Sequence, residues 1–379
     1  MEIDKNLILS DDGKTLIGIK DKHITTATIP HGVTQIGDSA FSKCSALKSI
    51  DIPNSVTKIG YKAFEGTKWL DQQPPRLIVI NTILYRCTDK SVTKIEISNN
   101  VTEIGYGAFE GCSALESIDI PNSVTEIGGG AFYGCSELKS IDIPNSVTQI
   151  GFKAFEGCSA LKSIDIPNSV TKIEADAFAG CSSLESIDIP NSVTEIEHST
   201  FKGCSSLESI DIPNSVTQIG RGAFYGTKWL DQKPHGLIII NSILYSCTNK
   251  LITKIDIPNN VAQIGESAFY WCKSLKKIGI PNSVIQFGDW AFSGCLALES
   301  IDIPNSVTEI GYGAFRCSAL KEVHCRRIEN LEWLIIDINA FDEEHFEECV
   351  LYVPSGTRWE YRHHPVWGRF KQIEIDRTE

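Results

Sequence analysis

An aspartate recurs at 23-residue intervals in this chain, each time within a Ser-Ile-Asp triplet. Because polar residues alternate with isoleucine, the triplet predicts a strand that buries Ile and exposes Ser and Asp. The residues predicted to form a binding face are Asp119, Asp142, Asp165, Asp188, Asp211, Ser140 and Ser163. They indicate either a solvated face that resists aggregation or an acidic groove for a basic or polymeric partner. A calcium site would need oxygen ligands gathered around one ion, whereas these carboxylates follow a line.

Thirteen cysteines could suggest disulfides or a metal site, but their spacing favours neither. No Cys-x-x-Cys pair occurs, and side chains that point the same way in a stack rarely reach the disulfide dihedral. The sequence therefore predicts a column of free, buried thiols. Nine cysteines share one repeat position: Cys44, Cys112, Cys135, Cys158, Cys181, Cys204, Cys272, Cys295 and Cys317.

Residues suited to catalysis do not form a recognisable group. Seven of the eight histidines fall outside the regular repeats, and none has a Ser or Cys partner in a known arrangement. The glycines recur as turn residues and form no phosphate loop. We therefore predict no enzyme activity, no catalytic, cofactor-binding or metal-ligating residues, and no cofactor.

Aromatic residues vary at two positions of the repeat, one after the Gly of Val-Thr-x-Ile-Gly and one after the Phe of Ala-Phe. Exposed, they would form an adhesive surface. The alternative is that they pack between successive coils or against the insertions described below. The candidates are Tyr106, Tyr133, Phe152, Tyr225, Tyr270, Trp290 and Tyr312.

The unit that positions these residues is repeated almost unchanged, and the copy at Ile118–Ser140 is typical. A fixed period of this length predicts a solenoid of stacked units. Each unit reads as a strand, a Pro-Asn-Ser turn, a second extended segment that Gly128 ends, and a short 3₁₀ or helical return at Ala131-Phe132. The predicted fold is an α/β solenoid with a parallel β-sheet on one face and short 3₁₀ or helical turns on the other. One internal column would consist of Phe109, Phe132, Phe155, Phe178, Phe201 and Phe224, and another of Ile104, Ile127, Ile150 and Ile173.

Two insertions interrupt the period, at about residues 66–94 and 226–254. Both begin Gly-Thr-Lys-Trp-Leu-Asp-Gln, and a shift of 160 residues separates Gly66 from Gly226, which indicates duplication of a whole block. Asn81-Thr82 and Asn241-Ser242 lie between apolar runs and predict β-hairpins. Trp69 and Trp229 are predicted to pack beneath them, with a ligand-facing tryptophan as the alternative.

The two ends of the chain are predicted to cap the stack. Residues 1–26 suggest a β-hairpin, residues 27–348 the solenoid, and residues 349–379 a C-terminal cap. Four aromatic residues are predicted to seal that second end: Trp359, Tyr361, Trp367 and Phe370.

A net charge of −13 argues against nucleic acid and anionic membrane surfaces as partners. No apolar run reaches the roughly 20 residues that a membrane span requires, so no direct membrane insertion is expected. The N-terminus lacks a basic region followed by an apolar core, so no signal peptide is predicted.

The units resemble the BspA-like leucine-rich-repeat family in three stretches: Leu-x-x-Ile-x-Ile-Pro, Val-Thr-x-Ile-Gly and Ala-Phe-x-Gly-Cys. The Thr-Lys-Trp-Leu-Asp-Gln interruption and the ending at Leu351–Tyr361 are similar too. The resemblance implies a leucine-rich-repeat solenoid without catalytic residues. It also implies a bacterial surface or secreted protein, some relatives of which adhere to matrix proteins or cells.

The expected function is non-catalytic recognition of a protein, through adhesion to host extracellular-matrix or cell-surface proteins. A repetitive glycan is the other partner expected for such regular units. The alternative function is an intracellular scaffold, and with no signal peptide in this chain a cytoplasmic location remains the alternative to the surface.

Overall fold

The computed structural model describes residues 5–317 and 319–377. The chain divides into two compact units, each much larger than the 23-residue repeat. The first unit is Met1–Ser215 with Gly222–Asp231, and the second unit is Val216–Arg221 with Gln232–Glu379. Each unit is a β-solenoid of parallel strands with little helix, as the 23-residue period predicts. Each regular turn of the solenoid contains two short strands, called here the first strand (Ser-Ile-Asp) and the second strand (the x-Ile of Val-Thr-x-Ile-Gly).

First strands pair in parallel, but only in short groups. In the first unit they are Thr26–Thr28, Ser49–Asp51, Lys94–Glu96, Ser117–Asp119, Ser186–Asp188 and Ser209–Asp211, joined two by two. Between these pairs, Asp142 and Asp165 form only an isolated parallel bridge. In the second unit, Lys254–Asp256 pairs with Lys277–Gly279, and a four-stranded sheet consists of Ser300–Ile303, Glu322–Cys325, Val350–Val353 and Gln372–Ile375.

Second strands form the more continuous ladder. In the first unit they are Gln35–Ile36, Lys58–Ile59, Glu103–Ile104, Glu126–Ile127, Gln149–Ile150, Lys172–Ile173 and Glu195–Ile196. In the second unit they are Gln218–Ile219, Gln263–Ile264, Gln286–Phe287, Glu309–Ile310 and Ile335–Ile336. The predicted isoleucine column is confirmed, because Ile104, Ile127, Ile150 and Ile173 are successive register partners and all are buried.

Three antiparallel hairpins feed into this ladder. They are Leu7–Leu9 with Thr15–Ile19, Leu77–Ile80 with Ile83–Cys87, and Leu237–Ile240 with Ile243–Cys247. The later strand of each hairpin pairs in parallel with the next second strand of its unit. Both predicted hairpin insertions are thus confirmed, and each replaces one turn of the ladder while its earlier strand forms an edge. The domain boundaries at residues 26 and 349 remain a prediction.

Helix is confined to the insertions and the C-terminal region. The helices are Lys68–Asp71, Lys228–Asp231, Glu343–Glu348 and Arg358–His363, with 3₁₀ turns at Leu331–Trp333 and Trp367–Arg369. The regular return segments are successive turns with bonds from residue i+3 to residue i, such as Cys135 N to Phe132 O at 3.1 Å. Trp69 is half-buried with its ring 4.7 Å from that of Phe64, so it packs against the core, and its position beneath the hairpin stays a prediction.

Phenylalanine rings stack along the interior of the first unit. From Phe109 to Phe224, adjacent ring centroids lie 5.1–5.9 Å apart and the planes differ by 2–5°. Every ring in this stack is fully buried, which confirms the predicted column. Burial of one such side chain stabilises the fold by roughly 1.5–3 kcal/mol.

The repeat cysteines lie beside this stack and are all buried, as predicted. Six of the nine thiols donate a hydrogen bond to the carbonyl of a Phe on the preceding turn, for example Cys158 Sγ to Phe132 O at 3.2 Å. Burial raises the pKa of Cys135 to about 12, so this thiol stays protonated and keeps its donor. The column therefore contributes hydrogen bonds as well as apolar volume.

The C-terminal aromatic residues behave differently from the prediction in one case. Tyr361, Trp367 and Phe370 are buried and close this end of the second unit. The prediction for Trp359 was wrong, because this residue is 69% exposed and its ring stacks on that of His363. Trp359 lies in the first turn of the helix Arg358–His363, whose buried residue is Tyr361.

Candidate binding surfaces

The acidic face of the first unit is a row of exposed side chains on its first strands. All seven predicted residues are exposed, from Asp119 to Asp211. Where the strands pair, Asp188 is the register partner of Asp211, so their carboxylates extend from the same side of the sheet. This confirms the predicted direction of these side chains, and whether they bind a partner stays a prediction.

Few cations neutralise this acidic face. Lys94 Nζ lies 3.8 Å from Asp119 Oδ2, and both side chains are largely exposed. Lys139, which precedes Ser140 in the chain, pairs with Glu116 at 2.7 Å. Exposed pairs of this kind contribute little energy, and Asp142, Asp165, Asp188 and Asp211 have no ion pair among the described residues.

In the second unit, an arginine pairs with the first-strand aspartate Asp302. Arg326 makes two bonds of 2.9 Å to the carboxylate of Asp302 and one of 2.7 Å to the buried Asp376. His324 Nδ1 also lies 2.8 Å from Asp376, and its ring stacks on Tyr352. Bidentate hydrogen bonding between guanidinium and carboxylate is strong and directional. These charges therefore stabilise the fold and are already paired within the chain.

An aromatic groove lies on the first unit, where the variable positions of several turns meet. It encloses a volume of about 500 Å³. Its lining residues are Asp38, Tyr61, Tyr106, Gly107, Glu110, Gly129, Gly130, Tyr133, Phe152 and Lys153. Three predicted aromatic residues therefore meet in one place, and all three are exposed: Tyr106, Tyr133 and Phe152.

Glycines allow the rings of this aromatic groove to lie across the next turn. A Cβ on Gly129 would stand 2.6 Å from Cε1 of Tyr106, and one on Gly107 would stand 3.1 Å from Cε2 of Tyr61. The rings thus pack partly between coils and partly face solvent. Both interpretations of the aromatic residues describe part of what is observed.

Polar groups are fixed around the rings. The Tyr61 hydroxyl donates to the Glu110 carboxylate at 2.9 Å, and the Tyr61 N–H donates to Asp38 at 2.7 Å. Lys153 Nζ lies 5.2 Å from the centre of the Phe152 ring and 3.0 Å from Glu156. Burial raises the pKa of Tyr106, and the nearby Glu174 carboxylate raises it further, so the phenol stays protonated.

A buried carboxyl group lies on the second strand next to this groove. Glu103 is 8% exposed and is the register partner of Glu126. Burial, with the charge of Glu126 added, raises the pKa of Glu103 to about 7, although Lys58 opposes the shift. Glu103 therefore changes its protonation near neutral pH.

Arginines partly cover the three predicted aromatic residues of the second unit. The Arg221 guanidinium lies 4.3 Å from the centre of the Tyr270 ring, and Arg316 lies 4.9 Å from the rings of both Trp290 and Tyr312. These three predicted aromatic residues are only half-exposed. Tyr225, in the first unit, is 67% exposed and does not line the groove.

Sequence reasoning missed the residues that give the aromatic groove its shape. Gly129 and Gly130 form its floor, and Asp38 and Glu110 supply carboxylates at its margin. The signal was present in the run Gly128-Gly129-Gly130, the only repeat with no side chain at all three positions before Ala-Phe. Exposed Trp333, at 65%, was also missed because it follows the last regular repeat.

A family model describing a BspA type leucine rich repeat region, in six copies, matches residues 19–139, 80–205, 125–233 and 238–352. The chain belongs to the BspA-type leucine-rich-repeat family. BspA-type repeats explain the strand order and the 23-residue turn described above, and such solenoids are typically scaffolds for interaction with other proteins. No helix in the described parts of this chain combines the length and apolar character needed to cross a bilayer.

Several solved structures resemble this BspA-type chain. A leucine-rich repeat protein from Bacteroides ovatus is 26% identical over 99% of this chain and 91% of that chain, with a TM-score of 0.39. A leucine rich cell surface protein from Faecalibacterium prausnitzii is 26% identical over 99% and 94% of the two chains, with a TM-score of 0.35. The leucine-rich repeat protein of T. pallidum is 24% identical over 59% and 88%, with a TM-score of 0.32. No curated protein sequence matches the chain.

Proposed function

We propose that this chain is a non-catalytic recognition module of a bacterial surface or secreted protein, which adheres to basic host matrix or cell-surface proteins through its acidic face. The observation that carries this proposal is the row of exposed aspartates from Asp119 to Asp211, which have few cationic neighbours. A row of like charges steers a partner of opposite charge and binds it at several points.

The proposal is tested by binding to immobilised matrix and cell-surface proteins at 50 and 300 mM NaCl. The test variant changes Asp142, Asp165 and Asp188 together to Asn. Because exposed charges are screened by salt, we expect binding to a basic protein that weakens at least tenfold at high salt. The variant should lose most of that salt-dependent binding while its circular dichroism stays unchanged.

A matched control removes three other exposed carboxylates outside the first strands, with Asp71→Asn, Glu195→Gln and Glu309→Gln. It changes the net charge by the same amount, so it should bind like the wild type if the row itself is recognised. Equal losses in both variants would show a general charge effect. Binding that salt does not change would contradict the acidic face as the site.

A further inference from the structure

The aromatic groove of the first unit combines ring faces with unused hydrogen-bonding groups. We propose that the aromatic groove, between Tyr106 and Phe152, is a binding site for a neutral saccharide. This site is separate from the acidic face and does not depend on it.

Backbone donors in the aromatic groove provide the first argument. The repeat glycine is the Gly of Val-Thr-x-Ile-Gly. In five turns, the backbone N–H of the residue after this position donates a hydrogen bond to a carboxylate. The pairs are Tyr61 with Asp38, Phe152 with Glu174, Ala175 with Glu197, Arg221 with Glu266, and Tyr312 with Asp289. The N–H groups of Tyr106 and Gly129 occupy this position on consecutive turns, and neither has an acceptor among residues 5–317 and 319–377. The N–H groups of Asp38, His198, Glu266 and Asp289 also lack one there, but only Tyr106 and Gly129 lie on consecutive turns that line the aromatic groove.

The neighbouring turns give these two donors no side-chain acceptor. Glu174 and Glu197 reach back from the repeat-glycine position of the following turn, whereas Gly128 and Gly151 occupy that position next to Tyr106 and Gly129. A Cβ on Gly151 would stand 2.7 Å from Gly129 N, and one on Gly128 would stand 3.0 Å from Tyr106 N, so the backbone of the following turn packs close to both donors. Water or a ligand oxygen therefore has to supply the acceptor that a carboxylate supplies in other turns.

Acceptors and rings complete the arrangement. Glu110 and Asp38 each accept one bond from Tyr61 and retain further lone pairs at the margin of the groove. Tyr106, Tyr133 and Phe152 provide apolar faces. A sugar ring presents an apolar C–H face together with hydroxyls that both donate and accept, so it matches all three features.

Charge selects a neutral ligand. Carboxylates of Asp38 and Glu110 repel an anion, while Lys62 and Lys153 already lie over the rings of Tyr61 and Phe152, where an added cation would bind. The volume of about 500 Å³ accommodates two to three sugar rings. A neutral di- or trisaccharide is therefore the expected ligand.

The test uses isothermal titration calorimetry of the full chain with maltotriose, cellotriose, mannotriose and triacetylchitotriose, each up to 10 mM. We expect at least one to bind. Tyr106→Ala removes a wall of the groove, and Gly129→Ala keeps the ring but forces it aside, since the new Cβ would lie 2.6 Å from it. Both variants should raise Kd at least tenfold, while Tyr225→Ala, an exposed tyrosine outside the groove, should leave it unchanged.

Other results would overturn this proposal. Failure of all four trisaccharides to bind at 10 mM would do so, as would equal weakening by Tyr225→Ala. Preferential binding of a trimethyl-lysine peptide would show a cation site, and preferential binding of sialyllactose would show an anion site. The Asp142, Asp165 and Asp188 triple variant should bind saccharide like the wild type, so failure of this proposal is distinguishable from failure of the acidic-face proposal. A Tyr106→Ala protein that does not fold leaves Gly129→Ala to decide.

Discussion

The duplication gives the chain two copies of one block, called here the first and second blocks, in which equivalent residues are 160 apart. The first block contains Tyr61, Glu110 and Phe152, and their equivalents in the second block are Arg221, Tyr270 and Tyr312. In the first block Tyr61 donates to Glu110, and the Phe152 ring stays open to solvent. In the second block Arg221 covers Tyr270, and Arg316 covers Tyr312. Equivalent positions thus form an open aromatic groove in the first block and a cluster of arginine and aromatic side chains in the second.

The interiors of the two blocks differ far less. Phe109 and Phe132 correspond to Phe269 and Phe292, which stack at the same ring distance of 5.2 Å. Interior side chains must match the turn above and the turn below, so a change there costs packing on both sides. An outer side chain meets fewer neighbours, and the outer surface can therefore acquire new chemistry without loss of the fold.

The largest expected effect tests the shared interior. Phe155→Ala and its equivalent Phe315→Ala should each destabilise the surrounding turns by about 3–5 kcal/mol, because both remove a buried ring from a stack. Amide hydrogen exchange of neighbouring turns, followed by mass spectrometry, measures this locally. Phe315 also contacts Phe287 and Phe341, so its loss should cost at least as much. If either variant kept the wild-type protection of its amides from exchange, the stacked rings would not stabilise the interiors of the two blocks alike.

Glu103 and its counterpart Gln263 provide the next comparison. The pKa of Glu103 is raised from 4.5 to about 7 in the folded protein. The folded state therefore holds more protons than the unfolded state between these values, and stability falls as pH rises through that window. Glu103→Gln should stabilise the protein by up to about 3 kcal/mol at pH 8 and change little at pH 4.

Urea denaturation at both pH values tests this prediction. Glu309→Gln serves as the control, since Glu309 occupies the equivalent position on an exposed second strand. The control should have no comparable pH dependence. An equal benefit of Glu103→Gln at pH 4 and pH 8 would show that charge is not the cause.

Cations beside the first strands of the two units should also differ in how much they stabilise the fold. Arg326→Gln leaves the buried Asp376 without its guanidinium and should destabilise the second unit by about 2 kcal/mol, below the full value for a buried pair because Arg326 is partly exposed. Lys139→Gln removes only an exposed pair with Glu116 and should cost less than about 0.5 kcal/mol. Thermal unfolding of both variants measures the difference. Equal costs would mean that Arg326 is as replaceable as a surface lysine.

The last comparison concerns the backbone donors, where the expected effect is confined to one turn. Asp289 accepts the Tyr312 N–H bond at 2.7 Å, and its counterpart in the first block is Gly129, which has no side chain. Asp289→Ala should therefore destabilise its turn by only about 1 kcal/mol, since water can replace the lost acceptor. Faster exchange of the Tyr312 amide, with the rest of the chain unchanged, is the expected result. An unchanged rate would show that the carboxylate does not protect that donor.

The repeating interior could be predicted from sequence because one physical requirement acts on every turn. Stacked Phe, Ile and Cys positions follow from the period alone, and the hairpins follow from apolar runs around Asn-Thr and Asn-Ser. Exposure of the Asp row follows in the same way from alternation along the strand.

The aromatic groove could not be predicted, because it depends on which turns lack side chains. Whether Tyr106 faces solvent depends on Gly129 one turn later, and whether Tyr312 does depends on Arg316 in its own turn. A tyrosine looks the same in both contexts when the sequence is taken alone. Trp359 was misplaced for a related reason, since no period exists in the C-terminal region to fix its direction.

The carbonyl-bonded cysteines and stacked rings have one more consequence, for the length of the protein. Residues 141–163 are one complete copy of the repeat, and Ile118, Ile141 and Ile164 each begin a copy. Removal of residues 141–163 would therefore join Ser140 to Ile164 with every column still in register. Such a deletion shortens the aspartate row by one carboxylate and leaves the interior unchanged. Recombination between near-identical gene segments would thus change the length of the acidic surface by whole copies of the repeat. Every remaining copy would keep a sequence that already fits the fold.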